Sequence, residues 1–162
     1  LCGQEKSPAM ILENANCVLK ADITPEMFVT TFLGILDHEK MSFTYAGAGH
    51  NFPIYVNHTK STYELKCGGF PLGLIANTQY HEEIILLNKG DMIFFYTDGL
   101  SEAKDSLGNR FGKEKIQKVL TEQCHLRAQA LSDFMYQELL AYAGSGLQDD
   151  VTLLTLKAET SS

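Results

Sequence analysis

Asp91-Met92-Ile93-Phe94-Phe95-Tyr96-Thr97-Asp98-Gly99 is the stretch whose reading decides the fold. Its apolar middle is rich in aromatic residues and bounded by turn-formers, which predicts a core strand over Asp91–Thr97. That strand delivers a carboxylate to its C-terminal end, where Gly99 lets backbone or a ligand approach closely. A carboxylate buried beside such a strand is costly unless a cation or several donors meet it. Leu147-Gln148-Asp149-Asp150-Val151-Thr152 has the complementary layout, with paired carboxylates at the mouth of another apolar strand. If the two strands are antiparallel neighbours, the end of one lies beside the start of the other. Asp98 and Asp149 then converge to within about 6 Å, close enough to share one hard cation such as Mg²⁺ or Mn²⁺. Taken singly, Asp-Gly after a strand is more often a turn, and Asp-Asp before a strand a solvated loop.

Working outward, the neighbouring elements are short and separated by turn signals. Ser7-Pro8 sets a hydroxyl cap before a proline at the first helical position, and Ile11, Ala15, Val18 and Leu19 recur at helical spacing up to Pro25. Residues 27–36 are apolar on both faces, which predicts a central strand covered on each side. Asp37-His38-Glu39-Lys40 predicts a hairpin turn, with Ser42–Ala46 returning. Pro53–Val56, Thr62–Lys66, Tyr80–Leu87 and Val151–Leu156 read as further strands, and helical periodicity returns at 112–123 and 127–143. Phe28, Phe32, Leu33, Ile35, Ile93, Phe95, Leu153 and Leu156 are the expected core residues of the strands. The plan is α+β, an antiparallel β-sandwich flanked by helices, forming a single domain over 1–162 with 158–162 as a frayed tail.

Composition narrows the classes of function. With 162 residues, 44% apolar and 20% charged, the chain can bury a real core. A net charge of −7 without a dense Lys/Arg stripe argues against nucleic acid or an anionic membrane as partner. No run is long and apolar enough to span a bilayer as a helix. Cys2, Cys17, Cys67 and Cys124 form no Cys-x-x-Cys pair, so reduced thiols in a cytoplasmic protein are expected rather than zinc ligation or disulfides.

Five motifs in order carry a resemblance. They are Met27-Phe28-Val29-Thr30-Thr31 leading to Asp37, Tyr45-Ala46-Gly47-Ala48-Gly49-His50-Asn51-Phe52-Pro53, Gly69-Phe70-Pro71-Leu72-Gly73, Tyr96-Thr97-Asp98-Gly99-Leu100-Ser101-Glu102-Ala103 and Asp149-Asp150-Val151-Thr152. The series resembles the SpoIIE/RsbU branch of the PPM (phosphatase 2C-like) serine/threonine phosphatases, from about Ser7 to Leu156. The resemblance implies metal-binding aspartates at Asp98 and Asp149, with Asp150 beside the second. It also implies a two-metal Mn²⁺ or Mg²⁺ centre whose bridged water attacks the phosphoserine or phosphothreonine phosphorus in line. The implied substrate is a phosphorylated bacterial regulator such as an anti-sigma-factor antagonist, and an upstream sensory or regulatory domain is the implied companion.

The family's opening motif, a strand ending in Gly-Asp before a glycine turn into a long helix, has no counterpart before Ser7, and Leu1–Lys6 can form at most that helix's last turn. That motif carries the aspartate bridging both metals. The expectation is therefore the C-terminal, larger part of a phosphatase domain, inactive alone, with open strand edges that a homodimer would cover. A catalytically inactive phosphatase-like interaction module is the alternative, and a β-rich ligand-binding domain a further rival. His50 reads as part of a structural turn, Asp105–Asn109 as a turn without calcium-loop spacing, and neither Arg110 nor Arg127, the only arginines, as a sure phosphate clamp.

Overall fold

A computed structural model describes residues 7–24, 26–144 and 146–159. The architecture is α+β, with antiparallel sheets and helices arranged in two compact units, Leu1–Phe52 with Lys66–Leu87 and Pro53–Leu65 with Asn88–Ser162. Expectations placed on Leu1–Lys6, Pro25 and residues 160–162 lie outside the described residues.

The first unit holds helix α1 (Pro8–Asp22) and strands β1 (Thr31–Asp37), β2 (Ser42–Ala48) and β5 (Glu83–Leu86), in the order β1-β2-β5. The Ser7 hydroxyl accepts from the Met10 N–H at 3.3 Å and Pro8 sits at the start of the helix, as the cap motif predicts. The buried face of α1 is set by Ala9, Leu12 and Asn16, rotated from the expected Ile11/Val18 stripe. Ala9 and Leu12 pack with Ala46, Ala48, Leu72 and Tyr80. Asn16 is a buried polar anchor: its Nδ2 donates to the Ile75 carbonyl at 2.9 Å, and its Oδ1 accepts from the Gly73 N–H at 2.7 Å. The hairpin turn forms as expected, with Asp37 Oδ1 accepting from the N–H groups of Glu39 and Lys40.

The 27–36 expectation is corrected. The strand begins only at Thr31 and lies at the sheet edge, pairing with β2 alone. Phe28 is 55% exposed, and Met27 and Val29 are exposed with it. Phe32, Leu33 and Ile35 are half-buried. Apolar composition on both faces reports hydrophobicity and cannot report how many neighbours a strand has, so the pattern does not separate an edge strand from a central one. Phe32 stacks on Tyr45 at 5.5 Å, and Gly34 leaves the space that the Phe43 ring occupies.

The second unit holds β3 (Ile54–Val56), β4 (Thr62–Glu64), β6 (Met92–Tyr96) and β7 (Leu153–Lys157), in the order β4-β3-β6-β7, with α2 (Asp98–Ser101), α3 (Gly112–Glu122) and α4 (Ala128–Ala143). Met92, Phe94 and Tyr96 alternate onto one face of β6 and form a core with Ile116, Val119 and Leu120 of α3 and Leu131, Met135 and Leu139 of α4. Ile93 is buried as expected, whereas Phe95, Leu153 and Leu156 are half-buried. Lys157 Nζ donates to the carbonyls of Cys124 and Leu126 at 2.8 and 2.6 Å, tying β7 to the chain that follows α3. The frayed-tail expectation is corrected at Ala158, which is buried and paired: its N–H donates to the Asp91 carbonyl, and its carbonyl accepts from Gly90. The ladder continues there because Asp91 still presents its backbone at the start of β6.

Candidate functional site

Strands β6 and β7 are antiparallel neighbours, with Tyr96 opposite Leu153. The end of one therefore lies beside the start of the other, as the sequence layout predicts. Beyond the last ladder pair the two segments stay joined through Thr97. Its N–H donates to the Thr152 carbonyl at 3.2 Å, its hydroxyl donates to the Asp150 carbonyl at 3.2 Å, and the Thr152 N–H donates to that hydroxyl at 3.0 Å. Thr97 stands at the N-cap of α2 yet makes no side-chain cap, because its oxygen is committed across the junction.

Gly99 completes the junction. A Cβ there would lie 2.3 Å from the Asp150 carbonyl oxygen, so the close approach that glycine allows is made by backbone. Asp98 opens α2, and Leu100 anchors that turn in the core, fully buried. Asp98 Oδ1 accepts from the Gly99 N–H at 3.1 Å, and Asp149 Oδ1 accepts from the Asp150 N–H at 2.8 Å. Asp98, Asp149 and Asp150 are all exposed. Asp149 lines a cavity of about 210 Å³ with Gly99, Glu102, Lys104, Arg110 and Gln148, and a wider hollow of about 490 Å³ with Asp150 and Tyr136.

The expectation of a buried, charge-hungry carboxylate at the strand's C-terminal end is corrected. The strand stops at Tyr96, and the turn into α2 carries Asp98 to the surface. The buried carboxylate is at the other end of the same stretch. Asp91 is 0% exposed and fully served by donors. Tyr55 OH, the His58 N–H and the Asn88 N–H each reach it at 2.7 Å, and the His58 ring lies at 3.2 Å. Burial alone would push the Asp91 carboxyl up, but the bonds from Tyr55, Asn88 and His58 outweigh it and hold the group below its ordinary value. Burial, then the bond to Asp91, pushes the Tyr55 phenol up. Sequence reasoning missed Asp91; the signal was its place directly after the Asn88-Lys89-Gly90 turn, where a carboxylate can collect backbone N–H groups.

The donor chemistry at the junction fits a hard divalent cation, since three carboxylates are carried by segments that touch at the backbone. Among the described residues no group of three His, Cys, Asp or Glu side chains is gathered as a complete metal site. His50 has its Nδ1 3.3 Å from Thr30 Oγ1. Asp105 closes its own turn by accepting from Leu107 and Asn109. Among the described residues no helix is long and apolar enough to cross a membrane.

The family described as Stage II sporulation protein E (SpoIIE) matches residues 1–159. Phosphoserine phosphatase RsbU of Bacillus subtilis (strain 168) is 32% identical over 151 residues, covering 93% of this chain and 45% of that protein, so the chain spans less than half of that relative's length. In structure, the chain is similar to the SiaA-PP2C domain of Pseudomonas aeruginosa, with a TM-score of 0.83 at 20% identity over 95% of this chain and 62% of that one. It is also similar to the Mn-presoaked phosphatase domain of the cell fate determinant SpoIIE from Bacillus subtilis, with a TM-score of 0.68 at 16% identity over 99% of this chain and 70% of that one.

Proposed function

This chain belongs to the SpoIIE family, and on that premise we propose that it is a metal-dependent serine/threonine protein phosphatase domain of bacterial cytoplasmic signalling, using Asp98 and Asp149 as ligands of Mn²⁺ or Mg²⁺. Its substrate is a phosphorylated regulatory protein such as an anti-sigma-factor antagonist, and a sensory or regulatory domain of the same protein controls it. The observation that carries the reading is the Thr97–Gly99 junction. There, backbone hydrogen bonds and a glycine contact bring the segment bearing Asp98 against the one bearing Asp149 and Asp150.

A bound divalent cation would supply an activated water and neutralise charge on the phosphoryl oxygens. The chain's own part is positional. Thr97 holds both segments with one hydroxyl, Leu100 pins the α2 turn, and the Asp98 and Asp149 carboxylates are each oriented by the next residue's N–H. Such preorganisation matters because misplacement by about 1 Å costs about 10²-fold in rate.

A second reading, an inactive module that binds a phosphoprotein without hydrolysing it, is favoured by one observation: the described residues do not themselves gather three metal-ligating side chains. Phosphate release from a phosphoserine peptide by the full-length protein with Mn²⁺ separates the two. Asp98→Asn and Asp149→Asn should each lower turnover by at least about 10²-fold. Turnover indifferent to both substitutions overturns the ligand assignment, and absence of turnover in the unsubstituted protein favours the binding module.

A further inference from the structure

We propose that Arg110, with Lys104 beside it, is the anion-accepting wall of the cavity next to Asp149 and takes the phosphoryl group of the phosphoprotein. This rests on the phosphatase-family reading and adds the group that recognises its substrate. Lys104 and Arg110 line the 210 Å³ space together with Asp149. A phosphoryl dianion arriving there meets the carboxylates of Asp149 and Glu102, which line the same space, in a chain of net charge −7. Like charge repels it, and the cationic side chains of Lys104 and Arg110 lining the same space offset that repulsion beside any cation the aspartates hold.

The mount is rigid. Lys104 and Arg110 form an antiparallel bridge that closes the 105–109 loop, and the Phe111 N–H donates to the Ala103 carbonyl at 2.7 Å just outside it. Inside the loop, Asp105 accepts from the Leu107 and Asn109 N–H groups at 2.9 and 2.8 Å and from Asn109 Nδ2 at 3.0 Å. The Asn109 side chain first, with the N–H groups of Asn109 and Leu107, holds the Asp105 carboxyl below its ordinary value, so it stays ionised in this role. Tyr142 OH donates to the carbonyls of Asn109 and Arg110 at 3.2 and 3.1 Å. That ring is itself held edge-on to Phe111 and beneath Lys115 Nζ at 3.7 Å. The backbone of Arg110 is therefore fixed before any ligand arrives, which lowers the ordering cost of binding.

The guanidinium is meanwhile parked on Glu102, with Nη1 3.0 Å from Oε1 and both side chains more than half exposed. An exposed pair of this kind contributes little and exchanges readily. A phosphoryl group offers the planar fork two charge-assisted bonds in place of one carboxylate contact. Glu102 then acts as a placeholder that keeps the fork at the cavity and competes with the anion.

Two measurements test this. The first is calorimetric titration of inorganic phosphate into the full-length protein in metal-free buffer, comparing the unsubstituted protein with Arg110→Gln, Arg110→Lys and Glu102→Gln. Arg110→Gln should weaken phosphate binding by about tenfold or more, Arg110→Lys by less, and Glu102→Gln should tighten it. The second is phosphoserine-peptide kinetics with Mn²⁺, where Arg110→Gln should raise KM about tenfold and change kcat by less than about threefold. Unchanged phosphate affinity in Arg110→Gln overturns the proposal, whatever the turnover. If Asp98→Asn leaves turnover intact while Arg110→Gln still loses phosphate, the metal-ligand reading fails and the anion site stands.

Discussion

Gly99→Ala isolates the junction on which the candidate site depends. The added Cβ would sit 2.3 Å from the Asp150 carbonyl oxygen, 3.0 Å from its carbon and 3.1 Å from Val151 Cγ2. The first two are backbone atoms, so no side-chain rotation relieves them. Restoring ordinary contact at about 3.4 Å means moving the Asp149–Val151 segment away from α2 by about 1 Å. Alanine would also gain in helix propensity, by about 0.5–1 kcal/mol relative to glycine. Overpacking against backbone costs about 1–3 kcal/mol, so the clash wins and net destabilisation is about 1–2 kcal/mol. The effect on chemistry should exceed the effect on stability. The shift falls directly between Asp98 and Asp149, and about 1 Å of misplacement is worth about 10²-fold in rate. Urea unfolding followed by circular dichroism measures the first quantity. Mn²⁺-dependent phosphate release, at a temperature where both proteins are folded, measures the second. If Gly99→Ala keeps both its midpoint and its turnover, the 97–99 and 150–152 segments are not in contact as described, and the argument for convergence of the aspartates falls with them.

Two further outcomes follow from the second unit's interior. Asp91→Ala removes a fully buried acceptor from the half-buried Tyr55 hydroxyl and from the N–H groups of the exposed His58 and Asn88, and should cost about 1–3 kcal/mol in urea unfolding. Because the folded carboxyl lies below its ordinary value, its stabilisation is fully present above about pH 4 and lost as pH falls through the folded value; Asp91→Asn should flatten that acid limb, and an unchanged limb would refute the assignment. Tyr96 has a buried hydroxyl without a hydrogen-bond partner among the described residues, and burial, with Glu64 adding to it, pushes its phenol up to about 12. Tyr96→Phe should therefore be neutral or raise stability by about 1 kcal/mol, and a loss of more than that would show that the hydroxyl is hydrogen-bonded in solution.

Much of the arrangement was legible because it rests on short-range rules. The Ser7-Pro8 cap, the Asp37 turn and the helical periods ending near Glu122 and Ala143 each follow from local pattern, whereas the pairing of β6 with β7 entered only as a condition that the structure meets. The errors share a different cause. The exposure of Phe28 and the burial of Asp91 both depend on neighbours remote in the chain. Of the donors that make a buried carboxylate tolerable at position 91, only the Asn88 N–H is local; those from residues 55 and 58 are remote, and nothing within the strand announces them. Asp98 shows the converse. Its strand is buried, but Thr97 redirects the chain within one residue, so burial of the strand says nothing about the carboxylate at its end. Hydrophobic periodicity thus finds the scaffold of the site, while the exposure of its charged groups is decided by single residues at strand ends. The place of Asp98 just past a strand end was therefore legible in the sequence, and its exposure was not. A carboxylate destined for a hard cation has to be reachable by that cation and its waters. The ligand role proposed for Asp98 accords with its exposed place on a turn locked by Thr97, Gly99 and Leu100. The deep, fully bonded carboxylate that this strand does possess, Asp91, serves stability instead.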